Sequence, residues 1–171
     1  ESYPKFCSLL QQNPSALQQM RESEVGFAVF ALTDAAFALM PQQLQLLEAA
    51  CNEPRLQEVV STMAAYHMIS VPISGDVMAS FQVVTTRVGE LPVEVASDGS
   101  GALYVNGVRI LQSYVFEDVI IQNYQDKDGN MIGSQTGEGG KRYIVHEVEN
   151  LICPNELWQS LHSHFQSTLL F

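Results

Sequence analysis

The chain has 171 residues, 46% hydrophobic and 16% charged, the composition of one globular domain that buries about two thirds of its unfolded surface. Eight basic residues face nineteen acidic ones, and the net charge of -11 argues against nucleic acid or anionic lipid as the principal partner, since both need a basic surface. No apolar run approaches the ~20 residues of a membrane span.

Tyr3 to Met20 reads as helix in two pieces divided near Asn13 and Pro14, with Phe6, Leu9 and Leu10 as one apolar stripe and Leu17 and Met20 as the next. After a polar turn from Arg21 to Glu24 comes the stretch around which the chain is arranged. Phe27 to Leu32 is apolar without alternation, the pattern of a strand covered on both faces. Thr33 then offers a side-chain oxygen to the free amides of a helix, and Asp34 suits the positive end of that helix. Pro41 starts another helix with Leu44, Leu46 and Leu47 on its apolar side. Asn52, Glu53 and Pro54 break the chain, and Leu56, Val59, Val60 and Met63 recur at the spacing of an amphipathic helix.

From Tyr66 the texture changes. Tyr66 to Val71 is rich in strand formers, and a short helix follows at Gly75 to Ser80. Phe81 to Val88 and Pro92 to Ala96 read as strands. Asn106 and Gly107, set between two apolar runs, predict a tight hairpin, because both central residues of that turn need positive φ. Val108 to Val115 is the returning strand. A second hairpin is predicted around Asp126 to Asn130, then a loose glycine-rich loop from Gly133 to Gly140. Tyr143, Val145 and Val148 mark the last strand. The tail from Asn155 is a helix with Leu157, Leu161, Phe165 and Leu169 in one stripe. Helices first and then a run of strands predict an α+β fold.

Three separated segments resemble the fasciclin domain, an extracellular adhesion module. Phe30 to Phe37, with Leu32 where the family usually has proline, looks like its first box. Tyr66 and His67 match the Tyr-His pair that lies between the boxes. Val105 to Ile110, Ile144 to Glu149 and Leu151 to Pro154 resemble the second box, with a spacer between Ile110 and Ile144 far longer than usual. The resemblance implies a wedge or sandwich of about seven strands packed against helices over residues 1–154. It also implies an inserted hairpin and loop at about 112–142, with an amphipathic helix at 155–171 lying beyond the family's normal end.

Thr33, Asp34, Asn106, Gly107 and His146 are the residues of this chain that carry the family's fold motif. The resemblance further implies a secreted or cell-surface setting, with a signal peptide and a glycoprotein-type parent. The expected role is adhesion to matrix or cells through protein contacts, without catalysis, metal or cofactor. In animal members the Tyr-His region has been linked to receptor contacts, which makes Tyr66, His67 and Met68 the partner-binding residues to expect. Some algal members carry a carotenoid, so a hydrophobic-ligand carrier is the alternative.

The residues themselves allow blander readings. His67, bounded by Tyr66, Met68 and Ile69, fits a core histidine whose ring bonds the backbone better than an exposed recognition group, and His146 reads the same way. A triad of Ser70, His67 and Asp76 can be drawn on paper, but no nucleophile-elbow signature accompanies it. Asp126 to Asn130 fails the calcium-loop spacing, and Gly133 to Gly140 fails that of a phosphate loop. His162 and His164 are two apart and point in different directions on a helix. Cys7, Cys51 and Cys153 have no metal-type spacing, leaving one disulfide plus a thiol, or three buried thiols. No Asn-x-Ser/Thr sequon occurs, Asn13 being followed by Pro14. The chain opens at Glu1 without a charged-then-apolar leader, so any signal peptide has been removed or lies outside this sequence. The tail stripe needs a cover: its own domain, a second copy in a homodimer, a neighbouring domain, or an apolar ligand over which it closes.

Overall fold

The computed structural model describes residues 3–117, 120–125, 131–137 and 141–169. The amino-terminal half is helical around one strand. Helix α1 (Pro4–Leu10) and α2 (Pro14–Arg21) are separated at Asn13, whose side chain accepts from the Ala16 amide at 3.1 Å and so satisfies one of the donors a helix start leaves free. Strand β1 (Gly26–Ala31) follows, buried on both faces apart from Phe27. Thr33 caps α3 (Asp34–Ala38) by accepting from the Ala36 amide at 3.1 Å. Then come α4 (Pro41–Cys51), a 3-10 turn at Pro54–Leu56, and α5 (Gln57–Ala65), which buries Val60 and Met63.

The second half supplies β2 (Met68–Ile69), α6 (Gly75–Met78), β3 (Val83–Thr85), β4 (Glu90–Val95), β5 (Leu103–Val105) and β6 (Val108–Glu117). The remaining elements are β7 (Ile120–Gln125), β8 (Met131–Gly137), β9 (Arg142–Val148) and α7 (Asn155–Leu169). Seven strands form one mixed sheet in the order β2-β1-β9-β6-β5-β4-β3, while β7 and β8 pair with each other as a separate hairpin. Only β1 and β9 run parallel; the other pairs of the seven-stranded sheet are antiparallel. The Arg87 amide donates to the Met68 carbonyl at 2.9 Å, tying the turn after β3 back to β2. The sheet is thus a nearly closed barrel packed against helices, an α+β fold of seven main strands.

The predicted Asn106 and Gly107 hairpin is present, with φ of 51° and 77° and Val105 registered opposite Val108. Other boundaries moved for identifiable reasons. Tyr66 to Val71 yields only the two-residue β2, because the amides of Tyr66 and His67 still donate to Thr62 and Ala64 in the last turn of α5. Pro72, which has no N–H, bars extension on the other side. Strand β3 is shorter than Phe81 to Val88, since Phe81 closes the turn after α6 and Thr86 folds back through its hydroxyl onto Gly89.

Gly133 to Gly137 is not loop but the second half of β8, registered with β7; the expected turn at 126–130 and residues 138–140 lie outside the described residues. Val108–Glu117 and Arg142–Val148 belong to the main sheet, so among the described residues of the 112–142 segment the β7–β8 hairpin stands apart from it. Helix α7 packs on α4 and α5, with Leu161 fully buried and Leu157, Trp158 and Phe165 against the core. The stripe that suggested a homodimer is therefore occupied within the chain; the Leu169 side chain lies outside the described residues. No described helix is long and apolar enough to cross a membrane.

Candidate functional site

The two buried histidines are structural clasps. In His67 the Ile152 amide donates to Nε2 at 2.8 Å, so the proton sits on Nδ1, which donates to the Met63 carbonyl at 2.7 Å. The Phe6 ring lies edge-on with centroids 5.5 Å apart. Burial pushes the imidazole down to about 4, only partly opposed by the Met63 carbonyl, so His67 is neutral at physiological pH. His146 donates from Nε2 to the Ile73 carbonyl at 2.9 Å and accepts the Ser113 hydroxyl proton at Nδ1 at 2.6 Å. Burial lowers its pKa as well, ahead of the opposing pull of Ile73.

His67 thereby ties α5 to the segment before α7, and His146 ties β9 to the loop after β2. The paper triad is not assembled: both nitrogens of His67 are bound to backbone, and the Ser70 hydroxyl accepts from the Arg87 guanidinium at 2.7 Å. His146 meets a hydroxyl and a carbonyl rather than a carboxylate. Its neighbour Glu147 is buried, where it accepts from the Tyr3 hydroxyl and from the Gln112 amide.

Of the three residues expected to meet a partner, His67 and Met68 are fully buried and offer it no surface, while Tyr66 is half-buried. The Tyr66 ring lies against the turn after β3, where a Cβ on Gly89 would come within 3.5 Å of its hydroxyl. Beside that turn is an apolar groove of about 290 Å³ lined by Ile69, Val71, Ile73, Phe81, Val83, Val84 and Thr85. Val71, Phe81 and Val83 are 51%, 52% and 44% exposed, a concentration of bare apolar side chains around the groove. Ser70 lies between two lining residues and is held by the Ser23 hydroxyl as well as by Arg87.

Among the described residues, no three His, Cys, Asp or Glu side chains come together as a metal site. His162 is exposed, whereas His164 faces Glu53 at 3.7 Å. The cysteines are unpaired: Cys7 is exposed, Cys51 half-buried and Cys153 buried, where burial raises the thiol to about 12.

The sequence model of the fasciclin domain matches residues 1–123, well over half of the chain. The chain belongs to the fasciclin domain family. Comparison with curated proteins finds no match. Fasciclin domains are commonly adhesion-related modules of extracellular or cell-surface proteins, act through protein contacts, and are generally not catalysts.

Strand β9 lies beyond the matched span, yet it runs between β1 and β6 in the middle of this fasciclin sheet. The motif residues sit at joints. Thr33 caps α3 and Asp34 accepts from the Lys5 amide, while the Asn106 side chain donates to the Cys153 carbonyl at 3.2 Å, locking the hairpin to the segment before α7. Sequence reasoning missed Phe81, Val83 and Arg87. For Phe81 and Val83 the run from Phe81 to Thr86 holds a partial signal. With Val84 and Thr86 turned inward, Phe81 and Val83 fall on the opposite face, so one face too many is apolar.

Proposed function

We propose that this fasciclin domain is a secreted or cell-surface adhesion module whose groove beside Tyr66 receives apolar side chains of an extracellular protein. The supporting observation is the set of exposed Val71, Phe81 and Val83 around an open apolar groove that borders the turn against which the Tyr66 ring lies. Tyr66 acts at the rim, and His67 and Met68 hold the backbone that presents it.

The carrier alternative places a hydrophobic small molecule in the same groove, whose volume of about 290 Å³ suits a short apolar group better than an extended polyene. Surfaces coated with the domain and with a Val71→Ser/Phe81→Ser variant decide between the two. Cell or matrix attachment lost in the folded variant supports adhesion. Undiminished attachment, with an apolar small molecule held by the wild-type protein alone, overturns it in favour of the carrier.

A further inference from the structure

We infer that the groove recognises a partner segment carrying an apolar side chain next to a carboxylate, and that Arg87 is the group that reads the carboxylate. This deepens the adhesion reading and rests on it.

Arg87 is exposed and follows the lining Thr85 by two residues. Its guanidinium is held at 2.7 Å by the hydroxyl of Ser70, the residue between the lining Ile69 and Val71, and its backbone amide is fixed on Met68 at 2.9 Å. One of its five N–H donors is used there, and the rest of the planar fork remains. Among the described residues, Arg87 makes no ion pair with any carboxylate.

The positive group is thus pre-positioned beside bare aliphatic and aromatic surface, inside a protein whose overall field repels anions. Only a ligand that satisfies both the groove and the fork overcomes that repulsion. An isolated acidic surface lacks the apolar anchor, and an isolated apolar side chain leaves the guanidinium unread. Arg–carboxylate contacts are frequently bidentate and about twice as strong as neutral hydrogen bonds, so the carboxylate supplies selectivity while Phe81, Val71 and Val83 supply buried area.

The test uses the whole chain and two capped pentapeptides, one with an aspartate beside two leucines and one with asparagine in its place. Nuclear magnetic resonance titration is expected to shift Val71, Phe81, Val83 and Arg87 together, with the aspartate peptide binding about tenfold more tightly at low salt. Arg87→Gln is expected to erase that difference, and Arg87→Lys, which keeps charge but not the fork, to retain part of it. Equal binding of the two peptides, or no binding of either, overturns the inference. The attachment assay on the Val71→Ser/Phe81→Ser variant judges the adhesion reading separately. Octanoate shifting the same residues when the aspartate peptide does not also overturns the inference, by moving the site to a small amphiphile.

Discussion

Gly26 opens β1 at φ 106°, and a Cβ built there would lie 1.8 Å from the Arg142 carbonyl oxygen and 2.7 and 2.8 Å from that residue's carbonyl carbon and amide nitrogen. Gly26 is registered with Arg142 at the start of the parallel β1–β9 ladder, and the Arg142 amide donates to Val25 at 3.1 Å. Gly26→Ala therefore forces the two backbones apart by about 1.2 Å merely to reach a 3.0 Å contact. The disfavoured dihedral costs about 1–2 kcal/mol and each ladder hydrogen bond lost costs about 1 kcal/mol, which together give about 3 kcal/mol. Urea unfolding followed by circular dichroism is expected to show that loss at unchanged slope. Gly99→Ala is the control, since φ there is 83° but nothing lies within 4 Å, so only dihedral strain applies. A Gly26→Ala variant as stable as the Gly99→Ala protein would refute the close β1–β9 approach on which the sheet depends.

His67 gives a pH prediction. Its folded pKa of about 4 lies below the ordinary histidine value of 6.5, so the unfolded chain takes up a proton that the folded one refuses. Above pH 6.5 the group contributes nothing; as pH falls from 6.5 toward 4 it costs up to about 3 kcal/mol, and buried His146 acts in the same direction. The imidazole carbon resonances of His67 are expected to stay in their neutral positions through pH 5, and a midpoint near 6.5 would contradict the clasp. Leu161→Ala, which empties the buried contact of α7 with the core, is expected to cost about 2–4 kcal/mol in urea unfolding while the protein stays monomeric in sedimentation. A cost below 1 kcal/mol means that α7 does not depend on that packing.

What the sequence disclosed follows the range of the forces involved. The unbroken apolar run of β1, the Thr33 cap and the Asn106 and Gly107 turn are set by neighbours a few residues away, and each was legible. The parallel pairing of β1 with β9 joins residues more than a hundred apart, and the bond from the Ile152 amide to His67 spans 85 positions. No local pattern carries such contacts. Burial of His67 was readable from its apolar neighbours, but that Met68 shares it, leaving Tyr66 the one of the three with exposed surface, was not. Phe81 and Val83 were read simply as strand formers. Apolar side chains look alike in sequence whether they face the core or a groove, and only the inward turn of Val84 separates the two cases. Arg87 was silent for a different reason: an arginine declares its partner only when the groups around it are known.

Binding through the groove is tested by the affinity of the isolated domain for extracellular matrix, measured for the wild type and for Phe81→Ser with matched urea midpoints. Phe81 is 52% exposed, so a partner seated in the groove would cover about half of the ring. At the ordinary worth of buried apolar surface this is about 1.4 kcal/mol, a tenfold change in affinity. A tenfold loss in the folded variant is the predicted result. Equal affinities would show that whatever this fasciclin domain binds, it does not bind through the groove.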